Sequence, residues 1–444
     1  MTGNTEPGDK RGLQAYWMPY TANRAFKEQP RLVTAAKGHW YTAADGRAVY
    51  DSFSGLWTSG LGHSHPHIVS AVKNQLDRLD YAHAFQVGHP PAFDLARRLT
   101  ALAPEGFDHA FFTNSGSESV DTALKISVAY HRLKGDAART RFIGRERGYH
   151  GGNLGGTSVG GIPANRALFS GALLPHVSHL PSTHDPARNA FSRGQPPHGA
   201  ELARGVGQIA AFHGAGTIAA VIVEPVAGST GVLVPPVGYL EALRAECDAC
   251  GALLIFDEVI TGFGRVGAPF AAQRFGVTPD IICLAKGLTN GVIPMGAVLV
   301  KREIYEAFMA HADTPIELFH GYTYSGHPVA TAAALATLDV YARDDVFARA
   351  RALEPAFEAA IHGLKDHHLV ADIRNFGLMG AVELHARPEA PGSRGFAAHA
   401  GCFERGLMVR FSGDTLQFAP FLEATPEQVA QTFTILAETL AALE

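Results

Sequence analysis

Three stretches of the chain carry residue types whose order could support chemistry on a carbonyl or an amine. In Asp280-Ile281-Ile282-Cys283-Leu284-Ala285-Lys286-Gly287 an apolar run delivers a lysine and then a glycine. A lone buried ammonium is disfavoured, so Lys286 is either a surface residue or a functional amine. As an amine it could form a Schiff base, an electrophilic imine, and shuttle protons once freed. In Leu253-Leu254-Ile255-Phe256-Asp257-Glu258-Val259 a second apolar run ends in two carboxylates. A carboxylate at the end of a parallel strand points into the crevice where open α/β sheets bind ligands, and buried there it needs a partner. A protonated pyridine nitrogen is one such partner, and the carboxylate would favour that protonation. Mg²⁺ is another, although no phosphate loop ending in Gly-Lys-Ser/Thr accompanies the pair. The third stretch, Asn114-Ser115-Gly116-Ser117-Glu118-Ser119, lies between the run His109–Thr113 and a helical pattern at Val120, Ala123, Leu124, Ser127 and Val128. Small residues at such a turn expose the first N–H groups of a helix, and a phosphate is a natural guest; an ordinary serine N-cap is the plainer alternative. Each signal is weak alone, and the three together favour a functional Lys286.

The elements that would position these residues follow from the apolar pattern. From about Asp108 to Lys301 short apolar runs alternate with Gly-rich turns and helical patterns: His109–Thr113, Arg141–Gly144, Ala219–Glu224, Ala252–Asp257, Ile281–Ala285 and Gly296–Val300. Several runs are uninterrupted and rich in Val and Ile, as strands buried on both faces must be. The expectation is an α/β fold with a mostly parallel sheet. Both chain ends read differently, with short strands at Trp40–Tyr41 and Ala48–Tyr50, an Ala-rich helix after Pro328, helices near 346–364 and 424–443, and strands near 371–375, 379–384 and 415–419. That describes an α+β unit built from both ends. The Pro-, Gly- and Ser-rich region 182–205 reads as a long surface loop.

Composition narrows the function classes. The 444 residues are 46% hydrophobic and 18% charged with a formal charge of −5, the balance of a globular protein with a large core. No basic stripe suggests nucleic acid, and runs such as Ala219–Val223 are too short for a membrane span. Met1–Arg11 is polar and lacks the apolar core of a signal peptide, and the four cysteines, 247, 250, 283 and 402, form no disulfide framework. The expected location is the cytoplasm. Cys247 and Cys250 form a Cys-x-x-Cys, but Leu240, Leu243 and Cys247 recur at helical spacing and no second ligand pair follows, so helix packing is expected. The glycine-rich run Gly151–Gly161 lacks the strand and helix context of a dinucleotide fingerprint.

Taken as a whole, the chain resembles the class III aminotransferases of pyridoxal 5′-phosphate (PLP) fold type I, and more narrowly the ω-amino acid (β-alanine)–pyruvate subgroup. The three stretches carry the resemblance together with Met18–Arg24, Gly55-Leu56-Trp57, Gly148-Tyr149-His150-Gly151, Glu224–Gly228, Asp257–Arg265, His320–Ser325 and Val409–Phe418. The most specific signal is Asp-Glu-Val followed by Gly-Phe-Gly-Arg, with Lys286 coming 29 positions after Asp257. The resemblance implies a large PLP-binding domain over 61–325, with a seven-stranded sheet, and a small α+β domain from 1–60 and 326–444. It implies that Lys286 forms the Schiff base and Asp257 pairs with the ring nitrogen. Ser115, Gly116 and Ser117 would hold the phosphate; Tyr149 and Val259 would cover the two ring faces; His150, Glu224 and Ile260 would lie near them. Thr323 would reach the phosphate of the neighbouring subunit in a homodimer or a dimer of dimers. Trp57, Leu56, Phe85 and a mobile Arg410 would bind substrate, the arginine through its carboxylate. In such sequences Gly-His followed by Pro is a common turn into a helix, so His63, His65 and His67 are not expected to hold metal.

The implied reaction is ping-pong transfer of an amino group from an ω-amino acid or primary amine to pyruvate. A diamine, ornithine or 4-aminobutyrate–2-oxoglutarate aminotransferase, or an amino-aldehyde aminomutase, would share the cofactor residues and remains the alternative. A PLP-free binding protein would lack Lys286 or Asp257, and an NAD-linked oxidoreductase rests on fold analogy alone.

Overall fold

The computed structural model describes residues 10–443. Of the polar stretch Met1–Arg11, the part up to Asp9 lies outside the described residues. Numbered in chain order, the strands are β1 Val33–Lys37, β2 Trp40–Ala43, β3 Ala48–Asp51, β4 Phe107–Thr113, β5 Arg141–Arg145, β6 Val177–Leu180, β7 Ile218–Val223, β8 Leu253–Asp257, β9 Ile281–Leu284, β10 Gly296–Lys301, β11 Val370–Phe376, β12 Met379–Leu384, β13 Leu407–Met408, β14 Arg410–Ser412 and β15 Thr415–Phe418.

Strands β4 to β10 form one seven-stranded sheet in the order β4-β10-β9-β8-β7-β5-β6. The pairs β5/β6, β5/β7, β7/β8 and β8/β9 are parallel. Strand β10 runs antiparallel to both β9 and β4, so β4 points the same way as the other five. Every residue of β7, β8 and β9 is buried, which is why these segments are continuous apolar runs rather than alternating ones. The strand that no apolar run announced is β6, Val-Ser-His-Leu. At the edge of the sheet it is only partly buried and can carry polar residues.

Helix Gly116–Leu133 follows β4 and buries Val120, Ala123, Leu124 and Ser127. Helix Tyr239–Cys250 is bounded by Gly238 and Gly251, at φ 81° and 69°, and buries Leu240, Leu243, Cys247 and Cys250. All four cysteines are free and buried. The Cys-x-x-Cys is thus part of a packed helix face.

Two smaller sheets flank this body. One has the order β1-β2-β3-β13, and its parallel pair Leu407 opposite Tyr50 joins residues from the two ends of the chain. The other has the order β11-β12-β15-β14. Helices Pro328–Arg343, Val346–His362 and Pro426–Ala441 match the expected pattern; helix Ser393–Glu404 and the very short β13 and β14 gave no readable period. The 182–205 region is more ordered than a surface loop. It holds a short helix at Pro186–Asn189 and a 3-10 turn at Ala200–Arg204, and Asp372 accepts the Phe191 N–H. Among the described residues no helix is long and apolar enough to cross a membrane.

Candidate active site

The carboxyl ends of the parallel strands converge on one cavity of about 650 Å³, a volume typical of small-molecule sites. Glu224 leaves the end of β7, Asp257 is the last residue of β8, and Lys286 opens the turn after β9 at φ 48°. Tyr149 and His150 follow β5 through the turn 146–150. The N-terminus of helix Gly116–Leu133, after β4, completes the floor with Gly116 and Ser117. A Cβ on Gly116 would sit 2.9 Å from a Val259 methyl, so only glycine lets this helix end lie against Val259.

Hydrogen bonds fix the acids. Asp257 Oδ2 accepts from His150 Nδ1 at 2.8 Å, and Oδ1 accepts the Val259 N–H at 3.2 Å. A carboxylate has about four lone-pair sites, so Asp257 keeps acceptor capacity for a further donor. Glu224 accepts the Tyr149 N–H at 2.9 Å and the Gly228 N–H at 3.1 Å. Burial raises its pKa above the usual carboxylate range and the Asp257 charge adds to this, while His150 opposes it. Burial brings the Lys286 amine down to about 8, with Asp257 and Glu224 acting against that fall. Its Nζ lies 5.9 Å from the centre of the Trp57 ring. The phenol of Tyr149 is pushed up to about 12, chiefly by burial.

The outer wall comes from segments distant in sequence. Residues 52–57 form a tight turn in which Ser54 and Trp57 take φ 47° and 59°. Asp51, fully buried, organises it: Oδ1 accepts the Phe53 N–H at 2.9 Å, and Oδ2 accepts the Gly55 N–H and meets His63 Nε2 at 2.8 Å. His63 is therefore used by Asp51, whereas His67 reaches out to Asp339. Trp57 packs against Gly228, where a Cβ would lie 2.0 Å from the indole. Opposite, Arg410 Nε donates to Gln417 Oε1 at 3.1 Å, and its guanidinium lies 5.8 Å from the Phe53 ring centre.

Of the residues singled out from sequence, Leu56, Trp57, Gly116, Ser117, Tyr149, His150, Glu224, Asp257, Val259, Ile260, Lys286 and Arg410 all line this cavity. Three do not. Ser115 caps the helix, its side chain accepting the Glu118 N–H at 3.2 Å, which places it behind the lining. Phe85 is 54% exposed and packs at Gly321, away from the cavity of its own chain. Thr323 is exposed nearby, its carbonyl accepting the Tyr81 hydroxyl at 2.9 Å. Sequence reading missed Phe53, Asn165 and Ser229 in the lining, and Asp51 and Gln417 behind it; Gln417 lies in the Val409–Phe418 stretch but drew no role, and no local motif marks the other four. An amine beside two buried acids, in one cavity with a guanidinium whose hydrogen-bond partner is a neutral amide, suits amine–carbonyl exchange on a substrate with one carboxylate.

The sequence model of the family described as aminotransferase class-III matches residues 21–440. The chain is 57% identical over 408 residues to an omega-aminotransferase of Caulobacter vibrioides, covering 92% of this chain and 93% of that protein. It is 51% identical over 431 residues to a beta-alanine–pyruvate aminotransferase of Pseudomonas aeruginosa, covering 96% of each. Among solved structures, the omega transaminase from Pseudomonas jessenii in complex with PMP superposes with a TM-score of 0.92 at 33% identity, covering 98% of this chain and 97% of that one. A PLP-bound amine transaminase from an uncultivated Pseudomonas species gives 0.90 at 34% identity, covering 97% and 99%.

Proposed function

The chain belongs to the class-III aminotransferases, which are PLP-dependent transaminases, and from that premise we propose that it moves an amino group from a β-alanine-like ω-amino acid or a primary amine to pyruvate, giving L-alanine. The observation that carries this specificity is the charge of the lining. Apart from Lys286, Arg410 is the one strongly basic side chain among the described lining residues, and the wall beside it is apolar: Phe53, Leu56, Trp57 and Ile260. One guanidinium serves one carboxylate. That suits pyruvate and β-alanine and leaves the second carboxylate of 2-oxoglutarate without a cation. The name of the Pseudomonas aeruginosa relative, beta-alanine–pyruvate aminotransferase, supports the same reading.

The cavity fits PLP on its own geometry. A buried acid with unused acceptor capacity, a desolvated lysine and an open helix N-terminus share one space. We assign the phosphate to the N–H groups at Gly116 and Ser117, with Ser115 supporting them as the cap. Tyr149 and Val259 would flank the cofactor ring, with Ile260 beside Val259; Asp257, held by His150, would pair with the ring nitrogen, and Lys286 would make the covalent attachment. Bound there, the cofactor supplies an electron sink for the pair left when the donor carbon loses its proton. The chain does the rest. Lys286 Nζ, its pKa brought down to about 8 by burial, is placed to take the proton from the amine-bearing carbon and, as the ammonium so formed, to give it up again from the same side. Arg410 orients carboxylate substrates and turns aside for neutral ones. Trp57, Ile260 and Leu56 exclude water, and Glu224 holds the Tyr149 turn through its backbone N–H.

The enzyme works as a homodimer or a dimer of dimers. Thr323 is exposed, and Phe85 packs on Gly321 two residues before it, so a partner that receives Thr323 receives Phe85 as well. Of the described residues, 61–325 would make up the cofactor domain, and 10–60 with 326–443 the small domain. Four free buried cysteines suit a cytoplasmic setting. The visible spectrum of the holoenzyme tests the substrate reading. β-Alanine should bleach the cofactor band and pyruvate restore it; faster restoration by 2-oxoglutarate would overturn the acceptor assignment.

A further inference from the structure

We propose that Gln417 is a positioning residue that holds the Arg410 guanidinium in its carboxylate-binding posture and so sets the balance between carboxylate-bearing and neutral substrates. This rests on the reading of Arg410 given above.

Arg410 and Gln417 are direct cross-strand partners of the β14–β15 hairpin. Strand β14 is the edge of its sheet, so the arginine backbone is anchored on one side only and its side chain needs a separate hold. Gln417 is fully buried, and a buried primary amide is stable only if both its ends are bonded. Both are. Its Nε2 donates to the Ser229 carbonyl at 3.0 Å, and its Oε1 accepts from Arg410 Nε at 3.1 Å. The Ser229 carbonyl can only accept, so the amide nitrogen must face it and the amide oxygen must face the arginine. Gln417 therefore cannot turn over without losing both bonds.

Using Nε as the tether leaves the two Nη groups, the forked end of the guanidinium, for the cavity that Arg410, Ser229 and Trp57 line together. The tether is neutral, so it directs the arginine without cancelling its charge. A single bond of this kind is also weak enough to be released when a neutral substituent has to pass. A carboxylate at position 417 would do the opposite, occupying the fork and holding it. The same Ser229 loop carries Gly228, whose N–H is held by Glu224 and whose missing side chain admits Trp57. Through Gln417, the arginine is thus referenced to the loop that places the opposite wall.

The test compares Gln417→Met and Gln417→Glu holoenzymes with the parent. KM for pyruvate and for β-alanine should rise about tenfold in the Met variant, the value of one hydrogen bond to a charged group, and at least as much in the Glu variant. The calorimetric Kd of propionate, an unreactive carboxylate, should rise in parallel. kcat/KM of the half-reaction with 1-phenylethylamine should change by less than about twofold, which a general loosening of the site would not allow. In an Arg410→Ala background, Gln417→Met should add nothing further, because its effect passes through the missing side chain. Equal losses for neutral and carboxylate substrates, or no change in propionate affinity, would overturn the inference. If one variant fails to fold, judged by its melting temperature and cofactor band, the other carries the comparison. Arg410→Ala separates the two levels. Carboxylate preference lost there but intact in both Gln417 variants removes only this inference, whereas an Arg410→Ala variant that loses equally on carboxylate and neutral substrates removes the Arg410 reading and this one with it.

Discussion

Lys286 occupies a position that makes it a poor cation. Burial takes its pKa from 10.5 to about 8, and the nearby acids Asp257 and Glu224 only partly offset that fall. Only the neutral amine is nucleophilic, so attachment of PLP to the apoprotein should accelerate as pH rises through about 8 and level off above it. A rate still climbing steeply toward pH 10 would show an ordinary lysine. Borohydride reduction of the holoenzyme should modify Lys286, and Lys286→Ala should fold yet lose transamination by at least about 1,000-fold, the scale of a lost proton-transfer group; near-normal turnover would refute the assignment. Arg410 makes a separate prediction. Its replacement by alanine should raise KM for pyruvate and β-alanine by about 10- to 100-fold, as expected for loss of a charge-assisted pair, and affect arylalkyl amines far less. Equal losses across both classes would dismiss the single-carboxylate argument.

At the scale of elements, the site depends on turns that hold strained backbone. Asp51 uses both carboxylate oxygens to hold the turn that carries Trp57, and Gly228 leaves the space into which the indole fits. Gly228→Ala would bring a Cβ to 2.0 Å from Trp57 and 2.7 Å from Ile260. Overpacking of this kind costs about 1–3 kcal/mol, so the variant should melt several degrees lower and bind amine donors more weakly. An unchanged melting temperature with unchanged donor KM would mean that the wall yields freely. The floor is more secure, since β7, β8 and β9 are buried along their whole length and present Glu224, Asp257 and Lys286 from one packed layer.

At the scale of the whole molecule, the cavity of one chain lacks two residues assigned to it, and both lie together on an exposed face. If Thr323 and Phe85 serve a neighbouring site, complementary defects should rescue one another. Lys286→Ala and Thr323→Asp proteins, each inactive alone, should recover about a quarter of parental activity when refolded together, because half of the dimers are mixed and each holds one intact site. No recovery despite mixed dimers detected by mass would place Thr323 outside catalysis. The chemistry-bearing stretches were legible in the sequence because each is local: an apolar run must become a buried strand, and the residue ending it must emerge at the sheet edge. Asp257, Lys286 and the Gly116 turn needed nothing more, and family resemblance added Tyr149, Glu224 and Arg410. What tertiary structure decided is everything that depends on approach between distant segments. It turned His63 toward Asp51, kept Phe85 out of its own cavity and tied the Gln417 amide to the Ser229 carbonyl. Such pairings leave no local trace, since a buried amide or an imidazole reads the same in sequence whatever it will face.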